Sequence, residues 1–117
     1  TAYEIRPRDW SSDVCSSDLL DGYFNDGRTI SFLKADVEGC EGDLLAGAKQ
    51  LIARSPGLRT ALCTYHRQED AGNLKATLSE MGFACEFSDG YMIYHFGREN
   101  VVQAPYLRKA VIRGTRS

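Results

Sequence analysis

The sequence predicts an α/β fold built on a mainly parallel sheet, and three observations carry that prediction. Short apolar runs that read as strands alternate with segments whose apolar residues recur at helical spacing. The strand-like runs end in polar or charged residues, as strands do when their carboxyl ends border a ligand crevice. With 117 residues, 43% of them hydrophobic, the chain also has the size and composition of one globular domain.

Residues 1–19 do not read as part of that domain. Thr1 to Ile5 and Arg8 to Leu19 resemble the translations of the two constant parts of a widely used short-read sequencing adapter, and the gap between them is as long as a sample index. We expect residues 1–19 to be a non-native, disordered leader and residues 20–117 to be the folded part. The leader carries Glu4, Asp9, Asp13 and Asp18 against Arg6 and Arg8, so the formal charge of -2 belongs to it and the remainder is neutral.

From Leu20 onward each element has its own signal. Asp26-Gly27 marks a turn, after which Ile30 to Asp36 reads as a mostly apolar strand ending in a charge. Leu44, Leu45, Ala48, Leu51 and Ile52 recur at helical spacing, with acids in the first turn, bases near the end and Ser55-Pro56-Gly57 as the stop. Leu58 to Tyr65 contains Ala61-Leu62-Cys63, the apolar run of a strand buried on both faces, and ends at Tyr65-His66. A polar loop, Arg67 to Asp70, leads to a second helix marked by Leu74, Leu78 and Met81 and stopped at Gly82. Phe83 to Phe87 and Tyr91 to Phe96 flank Ser88-Asp89-Gly90 as a hairpin, and Leu107 to Arg113 reads as one more strand. Arg108, Lys109, Arg113 and Arg116 read as a solvated basic face.

Composition excludes several classes. No apolar run reaches the ~18 residues of a membrane span, and no basic stretch precedes an apolar core as in a signal peptide. Charge balance argues against a nucleic-acid partner. Outside the leader Cys40, Cys63 and Cys85 form no CxxC pair; their odd number fits reduced thiols in a cytoplasmic protein, and no resident metal is expected.

The densest chemistry is the run from Lys34 to Glu41, where Asp36, Glu38 and Glu41 lie within one short stretch at a strand-to-helix junction. One acid there caps a helix; a second beside it adds repulsion unless it serves a ligand. Asp36 and Glu38 are therefore read as catalytic, and Glu41 as substrate-binding beside them or as a helix-terminal charge. His66, at the end of the next strand, has the chemistry to accept a proton from a substrate hydroxyl, with Tyr65 next to it as a substrate contact. His95 is read as a structural residue of a hairpin strand.

These residues carry a resemblance. LDGYF at Leu20 to Phe24, FLKADVEGCEGDLLAGA at Phe32 to Ala48, and a strand ending in Tyr65-His66 resemble the C-terminal half of FkbM-family methyltransferases. That family's signature, K-x-D-x-E-G-x-E followed by L-x-G-A, is matched by Lys34, Asp36, Glu38, Gly39 and Glu41, then Leu45, Gly47 and Ala48. The resemblance implies the C-terminal half of a Rossmann-like class I methyltransferase, truncated before the fourth strand, which moves a methyl group from S-adenosylmethionine to a hydroxyl of a sugar or natural product. It makes the strand ending at Asp36 the fourth of seven and the Ala61 strand the fifth. The glycine-rich loop and the second-strand acid that hold the cofactor in this fold have no counterpart before Asp36.

On this reading the chain is an enzyme fragment, inactive alone, whose partner is a small-molecule hydroxyl acceptor. In the intact enzyme Asp36 and Glu38 orient the acceptor, by themselves or through a divalent ion, and His66 is the base or hydrogen-bonds the acceptor. The fourth strand of this fold normally pairs with the first, so the Phe32-Leu33 strand is expected to be an open edge that makes the chain self-associate. The alternative is a small α/β binding or interaction module whose acids only cap a helix.

Overall fold

The computed structural model describes residues 19–93 and 107–117; most of the leader and His95 lie outside them. In chain order the elements are α1 (Leu19–Tyr23), β1 (Phe32–Ala35), α2 (Glu41–Ala46), α3 (Lys49–Ala53), β2 (Arg59–Cys63), α4 (Asp70–Glu80), β3 (Phe83–Phe87), β4 (Met92–Ile93), β5 (Leu107–Arg108) and β6 (Val111–Arg116). Leu19, assigned to the leader on sequence, is the first residue of α1.

The four main strands lie in the order β1-β2-β6-β3. β1 and β2 are parallel neighbours, with Phe32 opposite Arg59 and Ala35 opposite Leu62. β6 runs antiparallel to β2 on one side and to β3 on the other. The domain is thus a compact α/β structure with a mixed sheet, not a mainly parallel one. Among the described residues the expected hairpin across Ser88-Asp89-Gly90 is not present, its second strand being described only to residue 93: β3 pairs with β6, while β4 pairs with β5 in a separate ribbon. The stretch expected as one terminal strand is divided between these two sheets, because β5 ends at Arg108 and β6 begins at Val111.

Burial alternates along β2, where Thr60 and Leu62 are buried and Ala61 and Cys63 only half-buried, so one face is dry rather than both. On the dry face Leu45 of α2, Ile52 of α3 and Leu74 and Leu78 of α4 meet Leu62, Ile112 and Phe83. The opposite face presents Lys34, Arg59, Glu86 and Arg113 to solvent. Gly114 admits this packing: a Cβ there would stand 2.7 Å from Thr60 Oγ1 and 3.1 Å from Phe83 Cδ1.

The single helix expected across Leu44 to Ile52 is two short ones that meet at Gly47-Ala48. Asp21 in α1 explains how the second begins, since its carboxylate accepts the backbone N–H groups of Gln50 (3.0 Å) and Leu51 (2.8 Å), which are first-turn donors of α3. Ser55 closes the other end: its hydroxyl donates to Leu51 O at 2.6 Å and accepts the N–H of Ile30 at 3.1 Å, tying α3 to the approach to β1. Arg116 donates to the carbonyl of Ile52, so at least that part of the basic tail is structural, not a solvated face.

Candidate functional site

Asp36 and His66 follow the carboxyl ends of β1 and β2, and the parallel pairing of those strands brings the two loops side by side. The loop after β1 turns back sharply. The Cys40 N–H donates to Val37 O at 3.0 Å, and both intervening residues have positive φ, Glu38 at 54° and Gly39 at 92°. Glycine tolerates that region; glutamate does so at a cost. The turn carries Glu38 outward, where its side chain is 85% exposed, and sends Glu41 inward, where it is 1% exposed. The Oε1 atom of Glu41 accepts the Val37 N–H at 2.9 Å.

His66 is 6% exposed and stands among three carboxylates. Its Nε2 lies 3.2 Å from Asp36 Oδ1 and 3.7 Å from Glu38 Oε2, and its Nδ1 lies 3.4 Å from Glu41 Oε1. The Tyr65 hydroxyl donates to both oxygens of Asp36 at 3.1 Å. Burial, and then this bond to Asp36, raise the Tyr65 pKa well above a phenol's ordinary value, so Tyr65 is a donor and not a base. The Cys63 thiol is also pushed up, first by burial and then by the charge of Asp36.

All five residues singled out on sequence, Asp36, Glu38, Glu41, Tyr65 and His66, therefore meet in one place. Asp36 does not cap α2: the residue before that helix is Cys40, which makes no capping side-chain bond. His66 is not on the surface. Two residues that support the site escaped the sequence reading. Arg108 Nη1 donates to the carbonyls of Tyr65 (2.7 Å) and His66 (2.9 Å), and Thr64 Oγ1 donates to Lys109 O at 2.6 Å. These bonds fasten the His66 loop to the strand that follows β4 in the fold. They join residues more than forty positions apart, and nothing local in the sequence marks them.

No known family, curated protein or solved structure matches the chain. Beside Glu41 lies a cleft of about 130 Å³ lined by residues that include Gly39, Asp43, Arg67 and Asp70. Pockets that enclose a drug-sized ligand measure ~300–1,000 Å³. This cleft is smaller than that range. No helix among them is long and apolar enough to cross a membrane. Cys40, Cys63 and Cys85 form no disulfide there.

Proposed function

We propose that the chain is the acceptor-side part of an S-adenosylmethionine-dependent O-methyltransferase acting on a hydroxyl of a sugar or natural product, and is inactive by itself. The observation that carries this reading is the placement of His66: a buried imidazole with one carboxylate behind it and two in front, at the carboxyl ends of adjacent parallel strands. The match to the FkbM signature at Lys34 to Ala48 supports it. So does the adjacency of β1 and β2, which is what consecutive fourth and fifth strands joined by a helical crossover require.

Each residue then has a task. Glu41 faces Nδ1 across 3.4 Å and Asp36 faces Nε2 across 3.2 Å; to act as a base the imidazole carries its proton on Nδ1, toward Glu41, and Asp36 exchanges its contact with Nε2 for one with the acceptor hydroxyl. A hydroxyl placed between the two front carboxylates and Nε2 gives up its proton to the imidazole as its oxygen becomes the nucleophile. Asp36, held by Tyr65, and Glu38 accept hydrogen bonds from neighbouring hydroxyls of a polyol and so select the oxygen presented. The 3.4 Å between Nδ1 and Glu41 is longer than a formed hydrogen bond and is the kind of separation that closes when substrate is bound.

Two measurements test this. The gene sequence upstream of Leu20 should encode further strands with a glycine-rich loop; a start codon beside Leu20 removes the enzyme reading and leaves the binding module. In the longer enzyme, His66→Ala should lower kcat by about a hundredfold or more with little change in acceptor KM. Unchanged turnover removes His66 from the mechanism.

A further inference from the structure

Glu41 poses a problem that proton abstraction does not solve. Its Oε1 accepts the Val37 N–H, but its Oε2 is buried and has no hydrogen-bond partner. A carboxylate oxygen sealed from water is strongly unfavourable unless something positive meets it. In the same place Asp36, Glu41 and His66 each offer one ligand atom within 4.8 Å of the other two. We propose that Asp36, Glu41 and His66 bind one divalent transition-metal ion, of the Zn²⁺ or Mn²⁺ class.

Chemistry selects the ion. Ca²⁺ and Mg²⁺ take oxygen ligands almost alone, whereas an imidazole nitrogen beside two carboxylates suits Zn²⁺, Mn²⁺ or Fe²⁺. Ligand bonds of ~2.0–2.2 Å allow neighbouring ligand atoms to lie roughly 3 Å apart; Asp36 Oδ1 is 3.2 Å from His66 Nε2 and Glu41 Oε1 is 3.4 Å from Nδ1, so one ring nitrogen takes the ion and the carboxylate at the other nitrogen reaches it by a side-chain shift within the 4.8 Å that the ligand atoms span. Exposure is graded across the site: Glu41 and His66 are buried, Asp36 is exposed, and Glu38 Oε2 stands 3.7 Å from Nε2 on the open side. Three protein ligands with an open side are the arrangement of a catalytic rather than a structural ion site. The fold sets the buried Glu41 carboxylate and the His66 imidazole beside Asp36. The inference does not depend on methyl transfer, since an ion held here activates a hydroxyl for several reactions. In the loaded chain His66 is a ligand, and its service as a base belongs to the ion-free chain.

Equilibrium dialysis of the 117-residue chain against Zn²⁺, and separately against Mg²⁺, reads bound ion in monomeric and associated protein alike. We expect one Zn²⁺ per chain, held at least about tenfold more tightly than Mg²⁺. Asp36→Asn and His66→Gln should each weaken Zn²⁺ binding by about tenfold or more, while Asp43→Asn, which removes an acid from the same helix, should not. Asp36 is exposed, so its variant reports on the ion even if burial makes a Glu41→Gln chain unstable. Absence of stoichiometric Zn²⁺, or binding that survives both Asp36→Asn and His66→Gln, overturns the proposal. If no ion binds and His66→Ala still abolishes turnover in the longer enzyme, the ion is lost and the base stands.

Discussion

Glu38 adopts a conformation that glutamate avoids, and it does so beside the buried histidine. A non-glycine residue with positive φ is strained, and strain of this kind is retained where function requires the side chain. Glu38→Ala and Glu38→Gly both remove the carboxylate, but only glycine relieves the backbone. The glycine variant should therefore exceed the alanine variant in stability by about 1 kcal/mol, read from thermal unfolding. Equal Tm values would show that the turn is not strained. At this scale the sequence was informative: Asp36, Glu38, Glu41, Tyr65 and His66 were all identifiable, because strand-ending runs place such side chains at a shared rim. The division of labour among them was not identifiable. Sequence read Asp36 and Glu38 as catalytic and Glu41 as a substrate contact or a helix-terminal charge, and only the left-handed turn shows that Glu41 is the buried acid and the other two face outward.

Elements were legible where the signal is local. The helix stopped at Gly82 and the strand around Leu62 lie where periodicity puts them, since both depend on neighbouring residues. Pairing was not. Proximity in sequence suggested that the chain after β3 folds back on it, but the partner of β3 is β6, more than twenty residues later. The start of α3 has the same character, because its cap is supplied by Asp21 across some thirty residues. Asp21→Ala should destabilise the domain by about 1 kcal/mol, seen as a lower denaturant midpoint at unchanged slope, with Asp21→Asn, whose one carboxamide oxygen keeps one of the two bonds, losing clearly less. An unchanged midpoint in the alanine variant would mean that α3 does not rely on α1.

For the whole molecule, the exposed rim of β1 matters most. Among the described residues β1 has one strand partner, β2, and its Phe32 is 53% exposed. The sheet face away from the helices is the weaker hazard, because Lys34, Arg59, Glu86 and Arg113 lie on it. Association should therefore proceed edge to edge. Sedimentation velocity should show concentration-dependent oligomers of the wild-type chain, and Phe32→Lys should shift them toward monomer. A wild-type chain that stays monomeric across the accessible concentration range would contradict this.

The position of β6 between β2 and β3 also governs when the molecule can fold. Its two neighbours are made first and have no ladder between them until residues 111–116 arrive. The Arg108 bonds that hold the carbonyls of Tyr65 and His66 wait for the same late segment. On the ribosome, α4 and the β1-β2 pair can form early, but β3 stays unpaired and the His66 loop unfastened until residues 107–116 have been made, so that strand edge is open to other chains during synthesis.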